Sequence, residues 1–218
     1  MKKIAVLLSG CGVFDGSEIY ETVITLLSIE RNGATYQCFA PDKAQMHVVD
    51  HRTQDVNPNS KRNCLKEAAR LARGEIKSLD ELDIRDFDAL IVPGGFGAAK
   101  NFSNFATNGA EATADEKVVT FCRAFANNNK PVGYMCIAPT LLPFVYGKGV
   151  KLTIGNDKAT ADALTTMGAK HIECDVDGIV FDEAHNIVTT PAYMLASSLT
   201  EAASGIEKLV DKVMSLTK

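Results

Sequence analysis

The stretch Pro131-Val132-Gly133-Tyr134-Met135-Cys136-Ile137-Ala138-Pro139 decides how this chain is read. The apolar run after Lys130 has the length and composition of a buried strand. Ala138-Pro139-Thr140-Leu141 reads as a first helical turn, where proline is tolerated because its missing N–H would have no partner there. Cys136 therefore falls in a sharp strand-to-helix bend. Such a bend lifts a side chain above the carboxyl edge of a sheet, and a helix N-terminus behind it favours the thiolate. Two readings of Cys136 stand on this pattern: a nucleophile, or a free cysteine that ends a core strand.

Outward from the bend, apolar runs of strand length occur at Lys3–Leu8, Thr35–Ala40, Ala89–Val92 and Ile187–Thr190. Helical periodicity separates several of them. Asp15 or Ser17 is placed to cap a first helix with Ile19, Val23, Leu26 and Leu27 as its apolar stripe, stopped at Asn32-Gly33. Further helices are expected at Asn63–Ala72, Asp115–Ala126, Ala159–Met167 and Leu195–Leu216, and a hairpin turn at Asp182–Asn186 in which His185 is exposed. Alternation of this kind predicts an α/β fold with a mostly parallel sheet covered on both faces.

At 218 residues and 46% hydrophobic content the chain fits one domain, with a polar excursion at about 42–62. Its net charge of −4 offers no reason to invoke nucleic acid or an anionic membrane. The apolar run at Met1–Leu8 stops too early for a signal or a spanning segment, so the expected location is cytoplasmic. Six cysteines, at 11, 38, 64, 122, 136 and 174, contain no C-x-x-C pair, and Cys38 and Cys122 sit in core patterns. His47 and His51 stand four apart, yet Val48-Val49-Asp50 between them favours extended backbone, and no metal site is expected.

In an open parallel sheet, ligands bind beyond the carboxyl ends of the strands. After the first strand comes Ser9-Gly10-Cys11-Gly12-Val13-Phe14-Asp15-Gly16, which lacks the third glycine of a dinucleotide fingerprint and the Gly-Lys-Ser/Thr ending of a phosphate loop. After the third comes Pro93-Gly94-Gly95-Phe96-Gly97, either an ordinary turn or a set of bare N–H groups for an oxyanion. Glu18 and Glu21 share the polar stripe of the first helix with Thr25 and Ser28, so periodicity places them in solvent. Only their position at the sheet's carboxyl edge makes either a partner for Cys136.

The glycine-rich Pro93–Gly97 turn, the Gly133-Tyr134-Met135-Cys136 elbow and Glu21-Thr22-Val23 resemble the class I glutamine amidotransferase-like superfamily, which includes the parkinsonism-associated protein deglycase and the PfpI-type proteases. More narrowly, Leu8–Gly12, Phe39–Lys43, Asn101–Ala106 and Thr189–Met194 resemble the glyoxalase ElbB family. The resemblance implies a three-layer, flavodoxin-like sandwich, usually dimeric. It also implies Cys136 as nucleophile, Glu21 beside its sulfur, and oxyanion donors at the Gly94-Gly95 turn and Ile137. Cys11, Gly12 and Asn104 are further pocket candidates. The implied activity is conversion of glyoxal to glycolate without cofactor or metal, together with removal of early glyoxal adducts from proteins.

Two positions depart from the wider superfamily: Ile137 stands where amidotransferases and PfpI-type proteases have histidine, and Gly155 where the deglycase branch has one. Peptidase and amidase chemistry, which must protonate a leaving amine, is disfavoured; aldehyde chemistry is not. Two other classes of function remain open: a redox sensor or binding protein using an oxidisable Cys136, and an amidotransferase subunit serving a separate synthase.

Overall fold

Five apolar runs zip into the parallel core of a seven-stranded sheet in the computed structural model, which describes residues 1–217. The strands are β1 (Lys3–Leu7), β2 (Thr35–Ala40), β3 (Ile76–Ser78), β4 (Ala89–Val92), β5 (Val132–Met135), β6 (Lys151–Leu152), β7 (Lys170–His171), β8 (Val180–Asp182) and β9 (Ile187–Thr190). The main sheet runs β3-β2-β1-β4-β5-β9-β8; every pair is parallel except β8 with β9, and β6 and β7 form a separate parallel pair.

The helices are α1 (Ile19–Arg31), α2 (Cys64–Leu71), α3 (Phe96–Lys100), α4 (Phe105–Asn108), α5 (Glu116–Asn127), α6 (Leu142–Tyr146), α7 (Lys158–Thr166) and α8 (Leu199–Leu216). Strands β1, β4 and β5 are buried over nearly their whole length, as parallel strands covered on both faces must be. The fold is α/β, as the alternation of runs predicts, and flavodoxin-like, as the resemblance implies. Among the described residues no helix is long and apolar enough to cross a membrane.

Helix α1 is turned over relative to its sequence pattern. Glu21, Thr22, Thr25 and Ser28 face the interior, while Ile19, Tyr20, Val23 and Leu27 are exposed. The inward hydroxyls find partners: Thr22 Oγ1 donates to Glu18 O at 2.7 Å and Ser28 Oγ to Ile24 O at 2.8 Å within the helix, and Thr25 Oγ1 donates to Met135 Sδ at 3.8 Å on β5. A polar stripe can therefore be buried without orphaned donors. The cap also differs from expectation. Glu18, rather than Asp15 or Ser17, occupies the N-cap, its side chain accepting the Glu21 N–H. Ser17 Oγ instead accepts Ser9 N–H, and Asp15 Oδ2 accepts Val49 N–H.

That last bond ties the 42–62 excursion onto the β1–α1 loop. Asn101, almost wholly buried, adds further ties by donating to Ser9 O and Asp15 O and accepting Met46 N–H. His51 Nδ1 pairs with Val49 O, and the His51 ring packs against Phe14. His185 is half-buried rather than free on the surface: Nδ1 lies 2.9 Å from buried Asp182 Oδ2, with the ring against Tyr146. Cys38, Cys64 and Cys122 are buried, and all six cysteines are free thiols.

Candidate active site

Cys136 ends β5 with φ of +59°, a left-handed conformation that a side-chain-bearing residue adopts only where its surroundings impose it. Its own N–H is held by Thr190 O at 3.1 Å, at the end of the neighbouring strand β9. The backbone then enters a 3-10 turn at Ala138–Leu141, and α6 follows only after it. The bend is thus backed by a tight turn instead of the regular helix expected.

The turn after β4 is stitched to the β1–α1 loop: Glu18 N–H donates to Gly94 O, Phe96 N–H to Val13 O and Gly97 N–H to Gly16 O. Between these bonds the Gly95 N–H is left over. Neither it nor the Ile137 N–H has a backbone or side-chain oxygen partner among the described residues, and both act on the Cys136 side chain. Gly94 must be glycine, because a Cβ there would strike Cys136 Cβ and come within 2.8 Å of Glu21 Oε2.

Glu21 is fully buried against this elbow. Its Oε2 accepts Gly94 N–H at 2.8 Å and its Oε1 accepts Tyr193 N–H at 3.2 Å, which leaves the carboxyl's remaining hydrogen-bonding capacity for the Cys136 sulfur. Burial, reinforced by the neighbouring Glu18 carboxylate, raises the Glu21 pKa to about 7. Burial and the Glu21 charge push the Cys136 thiol well above its ordinary value, against the lowering effect of the two N–H groups. The turn behind the elbow therefore does not hold a free thiolate at rest. Thiol and carboxyl together keep at least one proton, because two anions cannot share this buried space cheaply.

Of the sequence-predicted residues, the structure brings together Cys136, Glu21, Gly94, Gly95 and Ile137. It separates the others. Cys11, half-exposed, faces the charges of Glu67, Arg70, Asp15 and Arg62 near α2. Gly12 lies beneath His51, with its N–H donating to Ser17 O. Asn104 lines a different cleft of about 250 Å³ with Lys43, Lys100, Asn101 and Asp115. Three of the four histidines are engaged elsewhere: His171 Nε2 accepts Ile154 N–H, His51 is tied to Val49 and Phe14, and His185 is tied to Asp182; His47, in the 42–62 excursion near Lys100, has no hydrogen-bond partner for its buried Nδ1 among the described residues. At Gly155 the space a side chain would enter holds Leu195. The Tyr193 N–H carried no sequence signal, because a backbone donor has no residue type; Glu18 was legible as a carboxyl at the sheet's edge, but not as the N-cap, because glutamate is an uncommon one.

Residues 2–197 match the model of the DJ-1/PfpI family. The chain belongs to the DJ-1/PfpI family. Human glutamine amidotransferase-like class 1 domain-containing protein 3, mitochondrial, is 42% identical to it over 99% of the chain and 83% of that protein. Among solved structures, an isoprenoid biosynthesis protein with amidotransferase-like domain from Ehrlichia chaffeensis superposes with a TM-score of 0.92 at 35% identity, covering 99% of each chain. The glyoxalase III of Candida albicans shares the DJ-1/PfpI chain's fold, with a TM-score of 0.63 at 14% identity over 100% of this chain and 98% of that one.

Proposed function

We propose that this protein is a cofactor-independent glyoxalase of the ElbB type, acting on glyoxal and similarly small dicarbonyls. The observation that carries the reading is the convergence of a buried thiol, a carboxyl with raised proton affinity and two N–H groups with no oxygen partner at Cys136, Glu21, Gly95 and Ile137. Cys136 Sγ adds to one aldehyde carbon while Glu21 takes the thiol proton, and the resulting oxyanion is received by the Gly95 and Ile137 N–H groups. Protonation of that oxygen gives a hemithioacetal. Glu21 then moves the proton from the thiol-bearing carbon to its neighbour, so that one carbon is oxidised to a thioester and the other reduced to a hydroxymethyl group. Water cleaves the thioester, releasing glycolate and the thiol. Atoms and electrons balance within the substrate plus one water.

A base that titrates near neutrality suits this proton traffic. Cys136 keeps only 7% of its surface, which favours a free two-carbon dialdehyde over an adduct carried on a protein. With no imidazole engaged at the sulfur, turnover is slow, since a positioned acid–base group contributes about 10²–10⁴-fold. The same burial disfavours the redox-sensor reading, which needs an accessible, low-pKa thiol. Glycolate formation from glyoxal by the purified protein, absent in Cys136→Ser, tests the assignment; activity that survives the substitution refutes it.

The reading extends to assembly and compartment. The exposed α1 stripe of Ile19, Tyr20, Val23 and Leu27 is uncharged until Glu30 and Arg31 in the last turn, and Tyr193 continues it beside Tyr20. An exposed apolar stripe with charges only at its end suits an isologous contact with a second copy of the chain across a twofold axis. A cytoplasmic location agrees with six unpaired cysteines, although the human relative is named as mitochondrial.

A further inference from the structure

Glu18 and Glu21 are two buried carboxyls on one turn, and the proposed chemistry employs only the second. Glu18 retains 8% of its surface, and its Oε2 accepts the Glu21 N–H at 2.7 Å. No ion pair among the described residues includes either carboxyl. The groups that face the pair carry no positive charge. Helix α1 itself contributes Tyr20, the β5 elbow contributes Cys136, and the turn after β9 contributes Tyr193, whose phenol burial and the carboxylates push up. The turn after β4 contributes only N–H groups.

Two neighbouring carboxylates without a counter-cation cannot both ionise cheaply, so one of them keeps its proton. Their surroundings decide which. Burial raises the Glu18 proton affinity as well, but Glu18 is nearer solvent than Glu21 and sits at the positive end of the helix dipole, where the N–H groups of Glu21, Tyr20 and Ile19 favour its anion. Glu21 is sealed beside the thiol.

We propose that Glu18 is a positioning residue of this site: its carboxylate, anchored at the α1 N-cap, adds to the effect of burial in raising the proton affinity of Glu21, so that the ionised Glu21 carboxylate is basic enough to take the Cys136 proton. The inference rests on Glu21 as the proton carrier of the proposed glyoxalase chemistry, but its test does not require turnover.

The full-length protein and its Glu18→Gln, Glu18→Asp and Glu21→Gln variants are titrated by infrared difference spectroscopy of the protonated-carboxyl stretch, in parallel with the pH profile of Cys136 alkylation by iodoacetamide. Glu21→Gln identifies the Glu21 band by removing it. Glu18→Gln removes charge while retaining a cap, because the amide oxygen it introduces still accepts the Glu21 N–H. The expected result is a Glu21 midpoint near neutrality that falls by one unit or more in Glu18→Gln, about tenfold in proton affinity, and returns in Glu18→Asp. An unchanged midpoint in Glu18→Gln overturns the proposal, as does a Glu18→Asp midpoint matching Glu18→Gln, which makes cap geometry the cause instead of charge. Should Glu18→Gln not fold, Glu18→Ser, which keeps a neutral N-cap, takes its place: a Glu21 midpoint lowered by one unit or more supports the proposal, and one that stays at the wild-type value overturns it. A midpoint that shifts as expected in a protein that makes no glycolate would refute the glyoxalase reading and leave the carboxyl pair standing.

Discussion

Glu21 Oε2 accepts the Gly94 N–H at 2.8 Å, and this bond fastens the first helix to the turn that carries the Gly95 N–H. One carboxyl thus has two duties, orienting the turn and exchanging a proton with Cys136. Because the same group serves both, changes at Glu21 and Gly94 act on catalysis and stability together.

Replacing Glu21 with Gln removes the proton carrier and leaves either Gly94 or Tyr193 N–H facing an amide NH₂. Glyoxal turnover is expected to fall by about 10²–10⁴-fold. The lost bond costs about 1–3 kcal/mol, partly offset by removal of the buried charge. Steady-state kinetics and urea unfolding check the two effects separately.

Gly94→Ala places a methyl group against Cys136 Cβ and Glu21 Oε2. Destabilisation of about 1–3 kcal/mol is expected from overpacking, together with loss of Cys136 alkylation selectivity and of turnover. An active, equally stable Gly94→Ala protein would contradict the geometry described.

The raised Glu21 pKa makes stability depend on pH in a defined direction. The folded state binds this proton more tightly than the unfolded chain, so the contribution is full below the ordinary carboxylate range, about pH 4, and is lost as pH rises to about 7. The size is about 3 kcal/mol on the linkage relation. Urea unfolding across pH 4–8 should show the wild type losing stability relative to Glu21→Gln over that window. The Cys136 thiol, raised well above its usual value, stays protonated throughout and adds no slope there.

A lysine at the centre of the exposed α1 face, in Val23→Lys, is expected to convert a dimer into a monomer by light scattering while leaving the fold intact, since Val23 is half exposed in the single chain. A wild-type protein that is monomeric at high micromolar concentration would remove the second-copy reading of this face.

Much of the architecture was legible in the chain because parallel strands covered on both faces are continuous apolar runs: Ala89–Val92, Val132–Met135 and Ile187–Thr190 are strands in the structure with these bounds. The short strands β3 and β7 were not legible, since two or three residues carry no measurable period. The bend at Cys136 could likewise be read from an apolar run followed by Ala-Pro. What only the tertiary structure decided is the direction in which α1 faces. Periodicity sends Glu21, Thr25 and Ser28 to solvent, but packing against the sheet and α8 turns them inward, and local hydrogen bonds make that burial tolerable. Proton affinity follows from the same event. A glutamate in a sequence has one ordinary pKa; only a fold that seals it beside Glu18 and Cys136, away from water and any cation, raises it to neutrality.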